Sequence, residues 1–502
     1  MTGAADARAR ARSVLRLRTG AILCALGAAA LLLTGAQRSA GGGLPGTVLA
    51  VAALVLTALI VWAALGLALV RRPASAAVTL RPEDAPEFRD MIASLAADLD
   101  VPAPDVVRVC PECDSWLEQD PARFWGRPRT VLVVGAPFLW WLRVGELRAL
   151  LAPVVAGTEP AADPAVAAAR SWVRRLDALA HPYAARIRPA RVSPWTAPLR
   201  KVPRAFARQL LDLTRGQAEI MERDIAAWAS SRAQDVDAPL RATAHEQVGL
   251  AYAGWDRLLT RLAAPAWNLG RYPDALMAGV VAALTELSQR DRLADVFGAR
   301  LAERPACDLL AAPERVDAQV SRLAAVIFAD RSPRQAVGWG DYPAKVIEPI
   351  WRAKAGVLVE ALDASDGQPG PACVGRVLDR IREGASARPP VRPGQDSLDS
   401  LDSIDSLEPF EFDRGPADGR AFDPERMTEH VIALVSCAAL DTGRMHAGVD
   451  WLDGAVLVDG RGRPADVSAL VGQAVDDHDD LPLRAWLDGI GVRTAEPIRL
   501  GG

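Results

Sequence analysis

Two uncharged apolar runs, residues 20–36 and 47–70, stand almost back to back near the N-terminus and constrain the fold more than any other feature. The first is about 17 residues long, the short end for a bilayer-spanning helix, and the second about 24. The loop between them holds Gly41, Gly42, Gly43 and Pro45, which break helices. Arg8, Arg10, Arg12, Arg16 and Arg18 precede the first run, Arg71 and Arg72 follow the second, and the loop has only Arg38. Arginine favours cytoplasmic flanks, so the pattern predicts a two-helix transmembrane hairpin with its loop outside and both termini cytoplasmic. That places the protein at the cell membrane with the lipid bilayer as a partner. A cleavable signal peptide in the first run is the alternative, and it leaves the second run as an anchor.

The other 430 or so of the 502 residues give room for more than one domain. The net charge of -4 gives no reason to expect nucleic acid as a partner. Six cysteines in so long a chain are not a disulfide framework, and they fit a reducing compartment. Residues 80–98 read as an amphipathic helix with acidic residues at its start. Residues 106–109 and 130–134 are β-branched runs suited to short strands. Residues 144–155 have helical periodicity up to Pro153, and residues 165–182 and 203–264 are Ala/Leu/Arg-rich and helical. The composition changes at 338–349, with helices after it. The stretch QDSLDSLDSIDSLEP, within residues 384–428, repeats every third residue, which is neither a strand nor a helix period, and reads as an acidic flexible linker. A helix over 427–440, a strand at 455–459 with a turn at 460–464, and two short helices complete the chain.

Residues 127–157 read RPRTVLVVGAPFLWWLRVGELRALLAPVVAG. This stretch resembles the approach to the active-site helix of HtpX-type membrane zinc metallopeptidases, the group that includes the CAAX prenyl proteases. In that family a strand leads to a Gly-x-Pro-Leu turn. An acidic residue follows, and then Glu-Leu-x-Ala-Val-Leu-Ala runs into His-Glu-x-x-His. Gly135, Pro137, Leu139, Leu142, Glu146, Leu147, Ala149, Leu150, Leu151 and Ala152 fall in place. The order of parts agrees over roughly residues 20–330. The resemblance implies a mainly α fold with a small β element. Its parts would be the N-terminal basic arm and transmembrane hairpin in residues 1–72 and a zincin-like helical peptidase domain over 73–330; the sequence beyond the resemblance reads as a helical extension over 331–383, the linker over 384–428, and a small C-terminal α+β accessory domain over 429–502.

The pattern breaks where the chemistry begins. The His-Glu-x-x-His slot holds Pro153, Val154, Val155, Ala156 and Gly157. The family motif works because two histidines at i and i+4 share a helix face and bind one zinc, with the glutamate as general base. Proline, valine and glycine supply neither ligand nor base. The third family ligand is a Glu four residues before an Asp. Asp224 fits that Asp, but the ligand slot falls on Ile220; Glu219 and Glu222 are near, without the family spacing. The resemblance therefore implies a degenerate member that keeps no zinc site and needs no cofactor, a pseudopeptidase that binds or regulates a partner such as another membrane protein. Two alternatives stay open. One is an active zinc endopeptidase with rearranged ligands such as Glu219, Glu222 and a distant histidine. The other is a membrane-tethered helical scaffold without kinship to peptidases.

Other candidate sites are weaker. His245-Glu246-Gln247-Val248-Gly249 begins like a zincin motif but has Gly in place of the second His, and reads as ordinary helix. Cys110 and Cys113 form a lone CxxC, for which incidental, redox and metal roles are all open. Asp476, Asp477, His478, Asp479 and Asp480 read as a solvated acidic turn, with a divalent cation as the rival. Trp140 and Trp141 suit either the core or a membrane interface. No Gly-rich phosphate loop and no Gly-x-Ser-x-Gly elbow is present.

Overall fold

The β-branched runs organise a four-stranded sheet in the computed structural model. The model describes residues 2–39, 75–120, 129–181, 201–234, 236, 238–290, 303–329, 333–386 and 424–500, with isolated positions between 48 and 58. The strands are β1 (Val78–Leu80), β2 (Val106–Cys110), β3 (Ser115–Asp120) and β4 (Arg129–Gly135), in the spatial order β1-β2-β4-β3. β2 and β4 run parallel, with Val106 opposite Val131 and Cys110 opposite Gly135. β1 and β3 add antiparallel edges. β4 is buried from Thr130 to Gly135, the pattern of a central strand covered on both faces.

The chain divides into two compact units, residues 1–252 with 295–327, and residues 253–294 with 328–502. The first unit holds this sheet and the helices α1 (Thr2–Ser39), α2 (Pro86–Asp98), α3 (Ala136–Trp141), α4 (Val144–Ala156), α5 (Thr158–Ala162), α6 (Pro164–Ala180) and α7 (Lys201–Arg232). The next helix, α8 (Ala238–Leu258), contains the division between the units. Asp163 caps α6 by accepting from the backbone N–H groups of Ala165 and Val166, and Pro164 follows at the first helical position. On α1, the stripe Ala7, Ala11 and Val14 has helical spacing and is buried against Val166, Ala169 and Trp172 of α6 and against Leu210, Met221 and Ile225 of α7.

That packing replaces the expected membrane hairpin. Among the described residues no helix is long and apolar enough to cross a membrane. The run 20–36 is the second half of α1 and is short and rich in Gly and Ala. The first half of α1 is a helix of a three-helix packing with α6 and α7. Arg8 in it pairs with Asp163, and the Arg18 guanidinium lies over the Trp172 ring. Most of 47–70, its loop, and Arg71 and Arg72 lie outside the described residues. The placement at a cell membrane with both termini cytoplasmic, and the bilayer as partner, rested on the hairpin and lose their basis with it.

Two further differences concern the candidate site. β3 is a mixed, partly polar segment, SWLEQD, without β-branched residues, so its strand state comes from pairing with β4. Pro153 does not end α4. The helix continues to Ala156 because Leu151, Ala152, Val155 and Ala156 are buried on either side of the proline, and this packing outweighs the roughly 3 kcal/mol that an interior proline costs.

In the second unit, β5 (Arg271–Pro273) pairs in parallel with β6 (Gln335–Val337). Trp339 follows β6 and donates from Nε1 to the Ala275 carbonyl at 2.8 Å. Its ring meets Tyr342 at 5.1 Å and Trp451 at 4.8 Å between centroids. Tyr342 is buried and donates its hydroxyl to the Leu262 carbonyl in a π-helical turn. A hairpin of β7 (Met445–Asp450) and β8 (Gly454–Asp459) carries the short β9 (Pro464–Ala465). The helix Pro424–Asp441 packs on the helix Glu348–Asp366. Most of the Ser/Asp-rich segment, residues 387–423, lies outside the described residues.

Candidate functional site

The framework residues of the 127–157 stretch each have a local structural task. Gly135 ends β4 beneath the loop that follows β2. A Cβ there would stand 2.4 Å from the Glu112 carbonyl oxygen and 2.8 Å from that of Asp114, so no other residue fits without moving backbone. Pro137 lies in the first turn of α3, all of whose side chains are buried, including Trp140 and Trp141. Trp141 donates from Nε1 to Gln247 Oε1 on α8 at 2.9 Å. Both tryptophans are therefore core residues. Glu146 is buried, and its carboxylate accepts the Arg143 backbone N–H at 2.9 Å, closing the first turn of α4.

The slot itself lies at the C-terminal end of α4. Pro153 and Val154 are half-buried, and Val155, Ala156 and Gly157 are buried. β3 packs along α4 and α5. A Cβ on Gly157 would come within 3.2 Å of Leu117 Cδ1 and 3.1 Å of the Val154 carbonyl oxygen. Two residues along the same face of β3, buried Gln119 donates its amide to the Ala161 carbonyl of α5. Thr158 Oγ1 donates to the Val155 carbonyl at 2.8 Å. A side chain at 157 long enough to hold a metal would have to displace Leu117.

Ile220 is half-buried on α7, as is Asp224. The acidic neighbours have other tasks. Glu222 accepts two hydrogen bonds from Arg170 of α6, at 2.8 and 2.6 Å. Glu219 is exposed and meets Arg215 at 3.3 Å one turn away. His245 is exposed on α8. Among the described residues no group of three or more His, Cys, Asp or Glu side chains could hold a metal ion. Zinc needs imidazole, thiolate or carboxylate donors; Pro153, Val154, Gly157 and Ile220 offer none, so this slot does not fit the ion.

The remaining candidates resolve by environment. Cys110 is buried at the end of β2 and Cys113 half-buried beside it. Burial pushes both thiols up to about 12, which leaves little thiolate for redox exchange at neutral pH. In the acidic turn, Asp480 is buried and binds Arg382 and Arg484, each at 2.7 Å. Burial alone would raise its pKa, but the hydrogen bonds from the two guanidiniums outweigh burial and hold the carboxyl below its usual value. The charge is already compensated by protein.

The sequence reading missed Arg108, Glu118 and Asp120. Arg108 on β2 reaches across β4 to Asp120 at 2.5 Å and lies 3.8 Å from Glu118, while Trp116 Nε1 donates to Glu118 at 3.1 Å. The alternation of Glu118 and Asp120 on SWLEQD marks one face only once β3 is known to be a strand.

Comparison with known proteins returned no matching family model, no matching curated protein and no matching solved structure. The likeness to metallopeptidases therefore rests on the quoted residues of the 127–157 stretch alone, since the order of parts began with the membrane hairpin.

Proposed function

We propose that this chain is a non-catalytic binding or regulatory protein on a metallopeptidase-like frame. The observation that carries the reading is the occupancy of the slot: Pro153, Gly157 and Ile220 stand at the three metal-donor positions and Val154 at that of the general base, and Leu117 lies against Gly157. Framework and chemistry part company within one helix. Gly135 and Glu146 still perform structural tasks that depend on their identity, whereas the positions past Ala152 perform none of the chemistry. Zinc in such a site lowers the pKa of bound water from about 15.7 to about 7, which creates the nucleophile at neutral pH. Without donors there is no such nucleophile, and binding is what remains for the frame to do. A partner protein is the natural object of that binding.

The test uses the purified full chain, assayed together for bound metal and for casein cleavage. Far less than one zinc per chain and no chelator-sensitive cleavage are expected. One zinc per chain with cleavage abolished by a chelator would overturn the reading and favour the active endopeptidase with rearranged ligands.

A further inference from the structure

The three-helix packing of α1, α6 and α7 encloses a groove of about 630 Å³, within the usual range for small-molecule sites. Its floor is apolar, with Ala21, Trp172 and Leu210. Leu17 and Leu213 line it too and are 43% and 66% exposed, a wet apolar surface of the kind that marks a binding site when it is contiguous.

Its charge is of one sign. Arg10, Arg16 and Arg18 line it and no acidic side chain does. Among the described residues none of the three makes an ion pair with a carboxylate, although Arg8, on the same helix, has Asp163. Arg18 is held with its guanidinium carbon 5.8 Å from the centroid of Trp172, a cation–π arrangement.

Two residues that line the groove also carry an unanswered donor. Trp172 is 8% exposed and its indole N–H has no hydrogen-bond partner, and Arg18 Nε is likewise buried and unpaired. Buried donors are nearly always satisfied, and these two belong to residues that line one groove, where an anionic head group would supply the acceptor.

We infer that this groove binds a monomeric amphiphile, an unbranched apolar chain that carries an anionic oxygen head group. The head group is a carboxylate or phosphate ester, held by Arg16 and Arg18 and accepting from the Trp172 N–H. The chain lies over Leu17, Ala21, Leu210 and Leu213. Neither half of the ligand suffices, because the arginines recognise the charge and the leucines the tail. The inference stands apart from the peptidase-like frame and does not depend on it.

Calorimetric titration of the full chain with monomeric decanoate and decyl phosphate tests it, with decanol and inorganic phosphate as controls. Saturable one-site binding of a decyl anion is expected, at least tenfold tighter than either control. Arg18→Gln weakens it about tenfold and Trp172→Phe about threefold. Leu213→Glu, at an exposed position that leaves folding intact, abolishes it. Equal binding of decanol would show an apolar patch only, and equal binding of inorganic phosphate an anion site only. Either result overturns the inference, as does an affinity unchanged in both Arg18→Gln and Leu213→Glu, or no saturable binding at all.

Discussion

Leu117 on the outer strand and Gly157 at the end of α4 are in contact so close that a Cβ on the glycine would stand 3.2 Å from the leucine Cδ1. Backbone strain plays no part, since Gly157 has ordinary helical angles, φ -61° and ψ -9°. Space alone decides what residue 157 can be. Gly157→His, which restores one family ligand, is therefore expected to destabilise the first unit by about 1–3 kcal/mol through overpacking. Adding Leu117→Ala should recover part of that loss, with a coupling of about 1 kcal/mol in a double-mutant cycle read by denaturant melts. Independent, additive effects would show that the two residues do not compete for one space.

Glu222 separates the non-catalytic reading from the rearranged metal site. Its carboxylate is about half exposed and already engaged by Arg170. Glu222→Gln should cost no more than about 0.5–1 kcal/mol, as for other partly solvated ion pairs, and should leave metal content unchanged. Loss of bound zinc or of proteolysis in this variant would identify Glu222 as a ligand.

Asp480 gives the second unit a pH dependence. Its folded pKa is held below the usual 3.8 by Arg382 and Arg484. The stability it contributes is therefore present above 3.8 and is lost as pH falls through the lower folded value. Asp480→Asn should destabilise by about 1–3 kcal/mol at neutral pH, the cost of leaving charge-assisted hydrogen bonds unmade. The gap between wild type and variant should close on acidification. A gap that persists at the acid end of a series of melts would mean that the carboxylate charge is not what matters.

Thiol reactivity should follow burial. Burial pushes Cys110 and Cys113 up to about 12, whereas Cys24 is exposed on α1. Under native conditions iodoacetamide should label Cys24 at least about a hundredfold faster than either, because the thiolate is the nucleophile. Peptide mass mapping over time reads the order. Early labelling of Cys113 would restore the redox reading of the CxxC pair.

Tyr342 tests the core of the second unit. Its buried hydroxyl meets the Leu262 carbonyl within a π-helical turn, and burial raises its pKa. Tyr342→Phe should lose about 1–2 kcal/mol, since it leaves a buried carbonyl unmet while keeping the ring. A melting curve that matches wild type would show that water reaches that carbonyl.

Local sequence determined much of this protein. The β-branched runs became β2 and β4, and the Ala/Leu-rich stretches became α6, α7 and α8. The ligand slots can be read directly, because no packing turns Pro153, Val154, Gly157 or Ile220 into a metal donor. Tertiary structure decided what each face meets. Hydropathy is a sum over neighbours in sequence and cannot tell which partner a helix covers. The arginine-rich start of α1 has the sequence of a membrane flank, whereas Ala7, Ala11 and Val14 pack against α6 and α7. β3 carries no strand signal of its own and exists because β4 offers it an edge. Leu117 against Gly157, and the Arg382 guanidinium on Asp480, join residues 40 and 98 positions apart. Chemistry that a residue lacks is visible locally, whereas the space and charge around it are set by segments far away in the chain.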